Sequence, residues 1–160
     1  MRFRRFVIPV LAIVGVAALA LATRAPAESA EPYTGKPEIV AATFSSAWCS
    51  SCKILEPRLK KVIPQFAGDP IKFVDLDFTF GDRAAVKETA EEAGISEVYE
   101  RSKGATGFTM LVDRDTGEVI DILTINYSEK AMKAAISRAL AIASHTDDPA
   151  AAAPLAVEKS

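Results

Sequence analysis

The sequence predicts an α/β fold in which a central mixed β-sheet is flanked by helices. Two observations lead to this fold class. Apolar segments typical of strands alternate with segments of helical period in the order β–α–β–α, which favours parallel strands joined by crossover helices. The chain then continues with two strand-like segments and a last amphipathic helix, and such a hairpin adds antiparallel strands at one side of the sheet.

The first half of the domain supplies two strands and two helices. We expect them, in the order strand, helix, strand and helix, over the segments 39–46, 49–68, 71–80 and 81–94. The strand segments are short and largely apolar, and the first helix carries its apolar residues at helical spacing. Pro57 is expected to kink that helix. Asp82 is the expected N-cap of the second helix, and Gly94 is its expected C-terminal stop.

The second half begins with residues 95–107, which show no periodic pattern and are expected to form an irregular surface loop. Residues 108–125 contain two strand-like segments around the turn DRDTG, which predicts a β-hairpin. A last helix is expected over 128–145, with Ser128 as its N-cap and one apolar stripe. The stripe consists of Met132, Ile136, Leu140 and Ala143.

Residues 1–27 differ in composition from the rest of the chain. Three arginines within residues 1–5 precede an apolar run over 6–23, which is the pattern of a secretory signal. The tripeptides ALA at 20–22 and APA at 25–27 are both acceptable cleavage sites. The alternative is a retained membrane anchor, because the apolar run is just long enough to cross a bilayer. Either outcome predicts export, and we expect the protein in the periplasm.

The remaining chain is expected to hold one domain between two unstructured segments. Residues 28–37 are rich in Pro, Ala and Glu and predict a linker. The domain then spans 38–146, and residues 147–160 predict a disordered tail, since their pattern could not bury a core. Cleavage after residue 27 would remove four of the 19 basic residues, leaving fifteen against 21 acidic ones, a formal charge of −6. This balance excludes nucleic-acid partners, which require clustered Lys and Arg.

The two cysteines of the chain, Cys49 and Cys52, lie in the motif WCSSC. They follow the first strand and begin the first helix, and functional groups of open α/β sheets gather at the carboxyl ends of the strands. A helix N-terminus favours an anion, so a thiol at this position is activated as a thiolate. Cys52, one helical turn further along, can attack a mixed disulfide formed at Cys49. The pair is therefore predicted to act as nucleophile and resolving thiol.

Two other uses of these cysteines are weaker on chemical grounds. A structural zinc site needs four ligands, whereas the chain offers two cysteines and His145, which lies at the far end of the last helix. A purely structural disulfide across two intervening residues would close a very small loop and would constrain little of the unfolded chain. His145 is interpreted as a solvated residue near a helix end. Neither a resident metal nor a cofactor is therefore expected.

The stretch WCSSCKILEPRL resembles the signature of the thioredoxin superfamily, with Trp48 before the first cysteine and Pro57 inside the helix. The strand FVDLD, the hairpin and the last helix are similar to later elements of that fold, so the resemblance covers roughly residues 38–145. It implies a thioredoxin-like fold in which Cys49 is the exposed attacking thiol and Cys52 the buried resolving thiol. Trp48 would flank the groove that receives the substrate. Its alternative role is packing against the start of the helix.

The first departure from the family pattern is the lack of an acid on the first strand. Many thioredoxins carry a buried acid six residues before the first cysteine, where it helps to deprotonate the resolving thiol. This position is Thr43, which cannot act as a base. Glu56 and Asp75 are the nearest candidates to replace it. A solvated helix face and a strand-end turn are the favoured interpretations of these two residues.

The second departure is the lack of the proline that precedes the hairpin in the family, where a cis bond exposes the preceding backbone for pairing with substrate. Phe108 occupies this position, so we expect a trans bond. Gly107 is expected to supply unusual dihedral angles that restore part of the loop's shape. We therefore assign Gly107 and Phe108, with Trp48, to substrate binding, and for Phe108 the alternative of a core residue that opens the strand is the favoured interpretation. The absent proline also leaves room for a metal or iron–sulfur site shared between two subunits.

The leading hypothesis is an exported thiol–disulfide oxidoreductase that acts on protein disulfides or thiols through Cys49 and Cys52. The Ser-Ser insert brings no charge to stabilise the thiolate strongly, so we expect a reductase or thiol-delivery protein rather than a strong oxidant. A reductase in an oxidising compartment requires an electron donor, which we expect in the membrane. The alternative is a binding module that holds a metal or a partner without turnover. That module would hold its ligand through the loop 95–107, and the insert SEVYERSKGA at 96–105 is a candidate specificity element.

Overall fold

The computed structural model describes residues 33–81 and 83–146. Their order is β–α–β–α–α–β–β–α, with one short 3₁₀ turn after the first helix. The strands are β1 (Ile39–Ser45), β2 (Ile71–Asp77), β3 (Phe108–Asp113) and β4 (Val119–Leu123). The helices are α1 (Cys52–Val62), α2 (Arg83–Ala93), α3 (Ser96–Ser102) and α4 (Glu129–Thr146), and the 3₁₀ turn is Ile63–Phe66.

The four strands form one mixed sheet in the order β2-β1-β3-β4. Strand β1 pairs with β2 in parallel and with β3 in antiparallel orientation, and β3 pairs with β4 as a hairpin. Because β1 has a neighbour on each side and helices on both faces, every one of its residues is buried, as its apolar sequence predicts. The predicted fold class, a thioredoxin-like arrangement of a mixed sheet between helices, is confirmed.

Two hydrophobic clusters cover the two faces of the sheet. Alternate residues of β1 point to opposite faces, so Ile39 packs in the cluster that contains α1 and α4, while Val40 and Phe44 pack in the cluster that contains α2 and α3. The domain is therefore a three-layer sandwich. This layering holds the β1–α1 junction rigidly, because both the strand and the helix bury apolar side chains.

Several local predictions are confirmed by these elements. Gly94 follows α2 with a φ of +76°, the left-handed conformation that ends a helix and favours glycine. Ser128 caps α4, since its hydroxyl accepts a hydrogen bond from the Ala131 N–H at 3.2 Å. Pro57 lies inside α1 on its exposed side, and the kink expected there stays a prediction. Strand β2 is confirmed as a strand, although it ends at Asp77, three residues earlier than expected.

One local prediction is wrong. The segment 95–107 is not an irregular loop throughout, because residues Ser96–Ser102 form α3. Val98 and Tyr99 on this helix are 2% and 3% exposed and pack in the same cluster as α2. Seven residues carry too few turns to show a helical period in the sequence, and burial of these two side chains supplies the stability that the pattern does not reveal.

Several predictions concern residues outside the described part of the chain. They are the signal or anchor over 1–27, the first half of the linker over 28–37, the N-cap at Asp82 and the disordered tail over 147–160. Within the described part, no helix is both long and apolar enough to cross a membrane.

Candidate redox-active site

The two cysteines lie at the junction between β1 and α1. Strand β1 ends at Ser45, and the Cys49 N–H donates to the Ser46 carbonyl at 3.0 Å, which closes a tight turn. Helix α1 begins at Cys52. This junction lies at the carboxyl end of two parallel strands, since β2 runs beside β1 in the same direction. Loops that follow both strands therefore meet beside the cysteines.

The structure pairs Cys49 and Cys52 as a disulfide, with their Cα atoms 5.3 Å apart. The two sulfurs differ in exposure: Cys49 is half-buried, whereas Cys52 is only 2% exposed. The Cys52 N–H donates a hydrogen bond to the Cys49 sulfur at 3.1 Å. In the reduced protein, a donor at this position favours the thiolate form of Cys49, because it stabilises the negative charge. Cys49 is thus the accessible sulfur of the pair, and we expect it to be the activated one.

Gly107 packs directly against this disulfide. A Cβ atom added at this glycine would lie 3.3 Å from the Cys49 sulfur and 2.9 Å from the Ser51 Cβ, so no larger residue fits without displacement. Its φ is +100°, and its N–H donates to the Phe44 carbonyl at 2.8 Å. The expected unusual dihedral angles are confirmed. The bond between Gly107 and Phe108 is trans, also as expected.

Trp48 and Phe108 occupy contrasting positions. Trp48 is 82% exposed beside Cys49, so it does not pack against the start of the helix, and a role in contacting substrate remains the prediction. Phe108 stacks on the buried Phe44 with ring centroids 4.9 Å apart. The stack continues from Phe44 to Phe78 and then to Tyr99, at 6.2 Å and 6.3 Å. Phe108 thus packs in a row of stacked aromatic rings that includes Phe78, a residue of the site.

A groove of about 310 Å³ opens beside Cys49, and we call it the Arg83 groove. Three segments form it: the β1–α1 junction, the β2–α2 connection with the start of α2, and the loop before β3. Its lining includes Trp48, Cys49, Phe78, Arg83, Val86 and Thr106. Arg83 is the single charged residue among the described residues that line it. The accessible sulfur therefore lies in a partly apolar groove with a positive charge.

A second groove, of about 280 Å³, opens beside Cys52, and we call it the acidic groove. Its lining includes Ser45, Cys52, Lys53, Glu56, Asp75 and Asp77. The Ser45 hydroxyl donates to the Asp75 carboxylate at 2.6 Å, and the Thr79 N–H donates to Asp77 at 2.8 Å. Glu56 and Asp75, the nearest candidates to replace the missing acid, thus lie on one groove with the buried sulfur.

Thr43, which stands where many thioredoxins carry an acid, supplies no carboxylate near Cys52. It is 8% exposed, and its hydroxyl shares a hydrogen bond with that of Thr109 on β3 at 2.9 Å. The two residues are direct partners in the β1–β3 register. A neutral pair of hydroxyls therefore fills the position where many thioredoxins carry an acid, and the nearby carboxylates lie on the groove instead.

Comparison with known proteins agrees with this geometry. The Thioredoxin family model matches residues 32–98, which run from just before β1 into α3. Over these residues the chain is similar to the thioredoxin family. A CxxC pair at disulfide distance in a thioredoxin-like domain is the arrangement of the family's thiol oxidoreductases. No curated protein is similar enough in sequence to match.

Solved structures with a similar fold include three that differ widely in origin. StoA from Bacillus subtilis is 15% identical over 64% of this chain and 85% of its own, with a TM-score of 0.45. The thioredoxin Mala s 13 from Malassezia sympodialis is 22% identical over 66% of this chain and 81% of its own, with a TM-score of 0.42. A malarial protein is 14% identical over 64% and 97%, with a TM-score of 0.40.

Sequence reasoning missed Arg83 and Phe78 as parts of this thioredoxin-like site. Both lie just beyond the carboxyl end of β2, and the parallel pairing of β1 and β2 brings that end beside the cysteines. The sequence did carry a signal, because the strand order places residues after β2 at the same edge of the sheet.

In the part of the chain that the structure describes, no three His, Cys, Asp or Glu side chains are arranged to hold a metal ion.

Proposed function

We propose that this protein is an exported thiol–disulfide oxidoreductase that reduces or exchanges disulfides of partner proteins. The observation that carries the proposal is the difference between the two sulfurs. Cys49 is accessible at a groove and accepts a hydrogen bond from a helix N–H, whereas Cys52 is buried behind it. A partner disulfide can reach Cys49, and the mixed disulfide that forms is then within reach of Cys52.

The direction that we propose is reduction or thiol delivery. The groove beside Cys49 holds one arginine, and the two residues between the cysteines are serines, so the thiolate has few neighbours that would stabilise it strongly. Strongly oxidising pairs owe their potential to a stabilised reduced form. We propose that residues 1–27 direct export to the periplasm, as a cleaved signal or a membrane anchor, and that a membrane partner supplies electrons there.

A trapping experiment tests the catalytic pair. The full-length Cys52→Ser variant should accumulate mixed disulfides through Cys49, because the resolving sulfur is gone. The matched Cys49→Ser variant should accumulate none at Cys52, because that sulfur is buried. Partners that stay bound to both variants in the presence of reductant would contradict the oxidoreductase and would favour a binding module.

A measurement of reduction potential tests the direction. Equilibration of the Cys49–Cys52 pair against glutathione and dithiothreitol should give a value near or below that of thioredoxin, about −270 mV. A value near about −120 mV would mean a strong oxidant and would overturn the proposed direction.

A further inference from the structure

Arg83 is the one charged side chain among the described residues that line the Arg83 groove. Arg83 begins α2 and lines the groove together with Cys49. Among residues 33–81 and 83–146, no acidic side chain forms an ion pair with it. A neighbouring basic residue of the same helix, Lys87, is instead paired with Glu91. A guanidinium in this state is free to bind a carboxylate that enters the groove.

The rest of the groove is suited to a polypeptide segment. Phe78 and Val86 are partly to largely buried and belong to the cluster under α2, so they present a fixed apolar surface. Trp48 adds an exposed indole beside the sulfur. These apolar and aromatic residues can bind the partner's side chains next to its reacting cysteine. The charge of Arg83 then determines which polar side chain of the partner binds well.

The acidic groove on the other side of the disulfide restricts the partner further. Glu56, Asp75 and Asp77 line it beside Cys52, with Lys53 as its one basic residue. A partner carboxylate placed over these residues would be repelled. The electrostatic potential, positive at the Arg83 groove and negative at the acidic groove, therefore favours a partner whose acidic side chain lies towards Arg83.

We propose that the Arg83 groove selects partner proteins in which the reacting cysteine has an acidic residue beside it in the chain. This inference rests on the proposed function and names its substrate class. The Cys49 thiolate attacks the partner's disulfide, forming a Cys49–partner disulfide and releasing the other partner sulfur as a thiol. The Cys52 thiolate then attacks the Cys49 sulfur, closing the Cys49–Cys52 disulfide and releasing the partner cysteine. Two electrons pass from the protein dithiol to the partner disulfide.

Three peptides of one sequence test the proposal. The residue beside their single cysteine is Glu, Gln or Lys, and the cysteine is activated as a 2-pyridyl disulfide, whose leaving group carries no charge. The rate of thiopyridone release by the reduced full-length protein measures attack by Cys49. We expect the Glu peptide to react about three-fold faster than the Gln peptide, as an exposed ion pair allows, and the Lys peptide to react most slowly. The preference should fall as salt is raised.

Charge variants separate selection from general reactivity. Arg83→Gln should abolish the preference for Glu, and Arg83→Glu should reverse it in favour of Lys. The matched control is Arg101→Gln, which removes an exposed arginine of α3 that does not line the groove. This control should retain the preference of the wild-type protein.

The outcomes distinguish the two levels of the proposal. If all three peptides react at one rate, or if Arg83→Gln retains the preference, selection by Arg83 is overturned while the oxidoreductase stands. If no peptide reacts, the oxidoreductase is overturned, and selection of partners is overturned with it. A preference that Arg83→Glu reverses would establish the selection.

Discussion

The two grooves that flank the disulfide differ in charge and in the sulfur that each exposes. The Arg83 groove contains the half-buried Cys49, a fixed apolar surface and one arginine that forms no ion pair with residues 33–81 or 83–146. The acidic groove contains the buried Cys52 and three carboxylates. A disulfide with identical surroundings on both sides would have no preferred sulfur. We therefore expect the attack on substrate at the Cys49 side and the resolving step at the Cys52 side.

The same comparison explains how the site tolerates two departures from the family pattern. The loop before β3 lacks proline, yet Gly107 brings its backbone against the Cys49 sulfur. The first strand lacks an acid, yet Glu56 and Asp75 lie on a groove with Cys52. Each loss is on the side where a neighbouring residue offers a replacement.

The largest expected effect concerns Gly107. Alanine at this position would bring a Cβ 3.3 Å from the Cys49 sulfur and 2.9 Å from the Ser51 Cβ. Displacement of the attacking sulfur should slow its reaction about 100-fold, as for other misplaced catalytic groups. The rate of thiopyridone release from a neutral 2-pyridyl disulfide measures this loss.

The matched control for this substitution is Gly117→Ala in the hairpin turn. Gly117 has a φ of +73°, but nothing lies within 4 Å of an added Cβ. Gly117→Ala should lose about 1 kcal/mol of stability from backbone strain. Gly107→Ala should lose more, because its added Cβ also meets Ser51, and only this variant should lose reactivity. An equal loss of reactivity in both would mean that the loop does not position the sulfur.

The second prediction concerns the acidic groove. If Glu56 and Asp75 accept the Cys52 proton through solvent, the double variant Glu56→Gln, Asp75→Asn should slow closure of the disulfide about ten-fold. This figure is below the 10²–10⁴ range of well-positioned acids and bases, because both carboxylates are solvated. The initial attack by Cys49 should keep its rate. Rapid-mixing kinetics at pH 7 would resolve the two steps.

A charge-matched control for this variant is Glu88→Gln, Glu92→Gln on the exposed side of α2. It removes the same formal charge away from both grooves and should leave both steps unchanged. A ten-fold loss in the control as well would attribute the effect to net charge rather than to the acidic groove.

The third prediction concerns Trp48. Because its side chain is 82% exposed, Trp48→Ala should change the free energy of unfolding by less than about 0.5 kcal/mol. Its contact with substrate should be lost, and kcat/KM for a protein disulfide should fall about three- to ten-fold. Ile54→Ala, which truncates a 46%-exposed residue of α1 outside the Arg83 groove, should leave kcat/KM unchanged. Unchanged kcat/KM in Trp48→Ala would remove this residue from the site.

The smallest effect is expected outside both grooves, at Tyr127. Its hydroxyl donates to the Asp121 carboxylate at 2.9 Å, and this hydrogen bond raises the pKa of Tyr127. A raised pKa in the folded state means that the stabilisation is present below about pH 10 and is lost as the pH rises through the folded pKa. Tyr127→Phe should therefore lower the free energy of unfolding at pH 8 by less than about 1 kcal/mol, which a slightly lower Tm would show. The difference in Tm between this variant and the wild-type protein should narrow above pH 10. The rates of thiol–disulfide exchange should be the same in both proteins.

The sequence was sufficient for the elements that repeat an apolar period. Strand β1, the hairpin and α4 are long or apolar enough for their side chains to reveal the buried face. Helix α3 was not predictable, because seven residues with two buried side chains show no period. Its stability comes from packing against residues that are distant in sequence.

The candidate site was predictable where one segment carries it and not where several segments meet. The motif WCSSC identifies both cysteines as site residues, because the motif and the strand before it lie in one short segment of the sequence. The Arg83 groove requires three connections to meet, and the Thr43–Thr109 pair requires the β1–β3 register. Neither is written in a single stretch of sequence.

The central claim is that the two sulfurs have different roles because of their surroundings. Alkylation of the reduced full-length protein with iodoacetamide, followed residue by residue by mass spectrometry across pH 5–9, tests it most directly. Cys49 should react at least about ten-fold faster than Cys52, and its rate should rise at a lower pH than that of an ordinary thiol, about 8.5. Equal rates at the two cysteines, or faster alkylation of Cys52, would contradict the account.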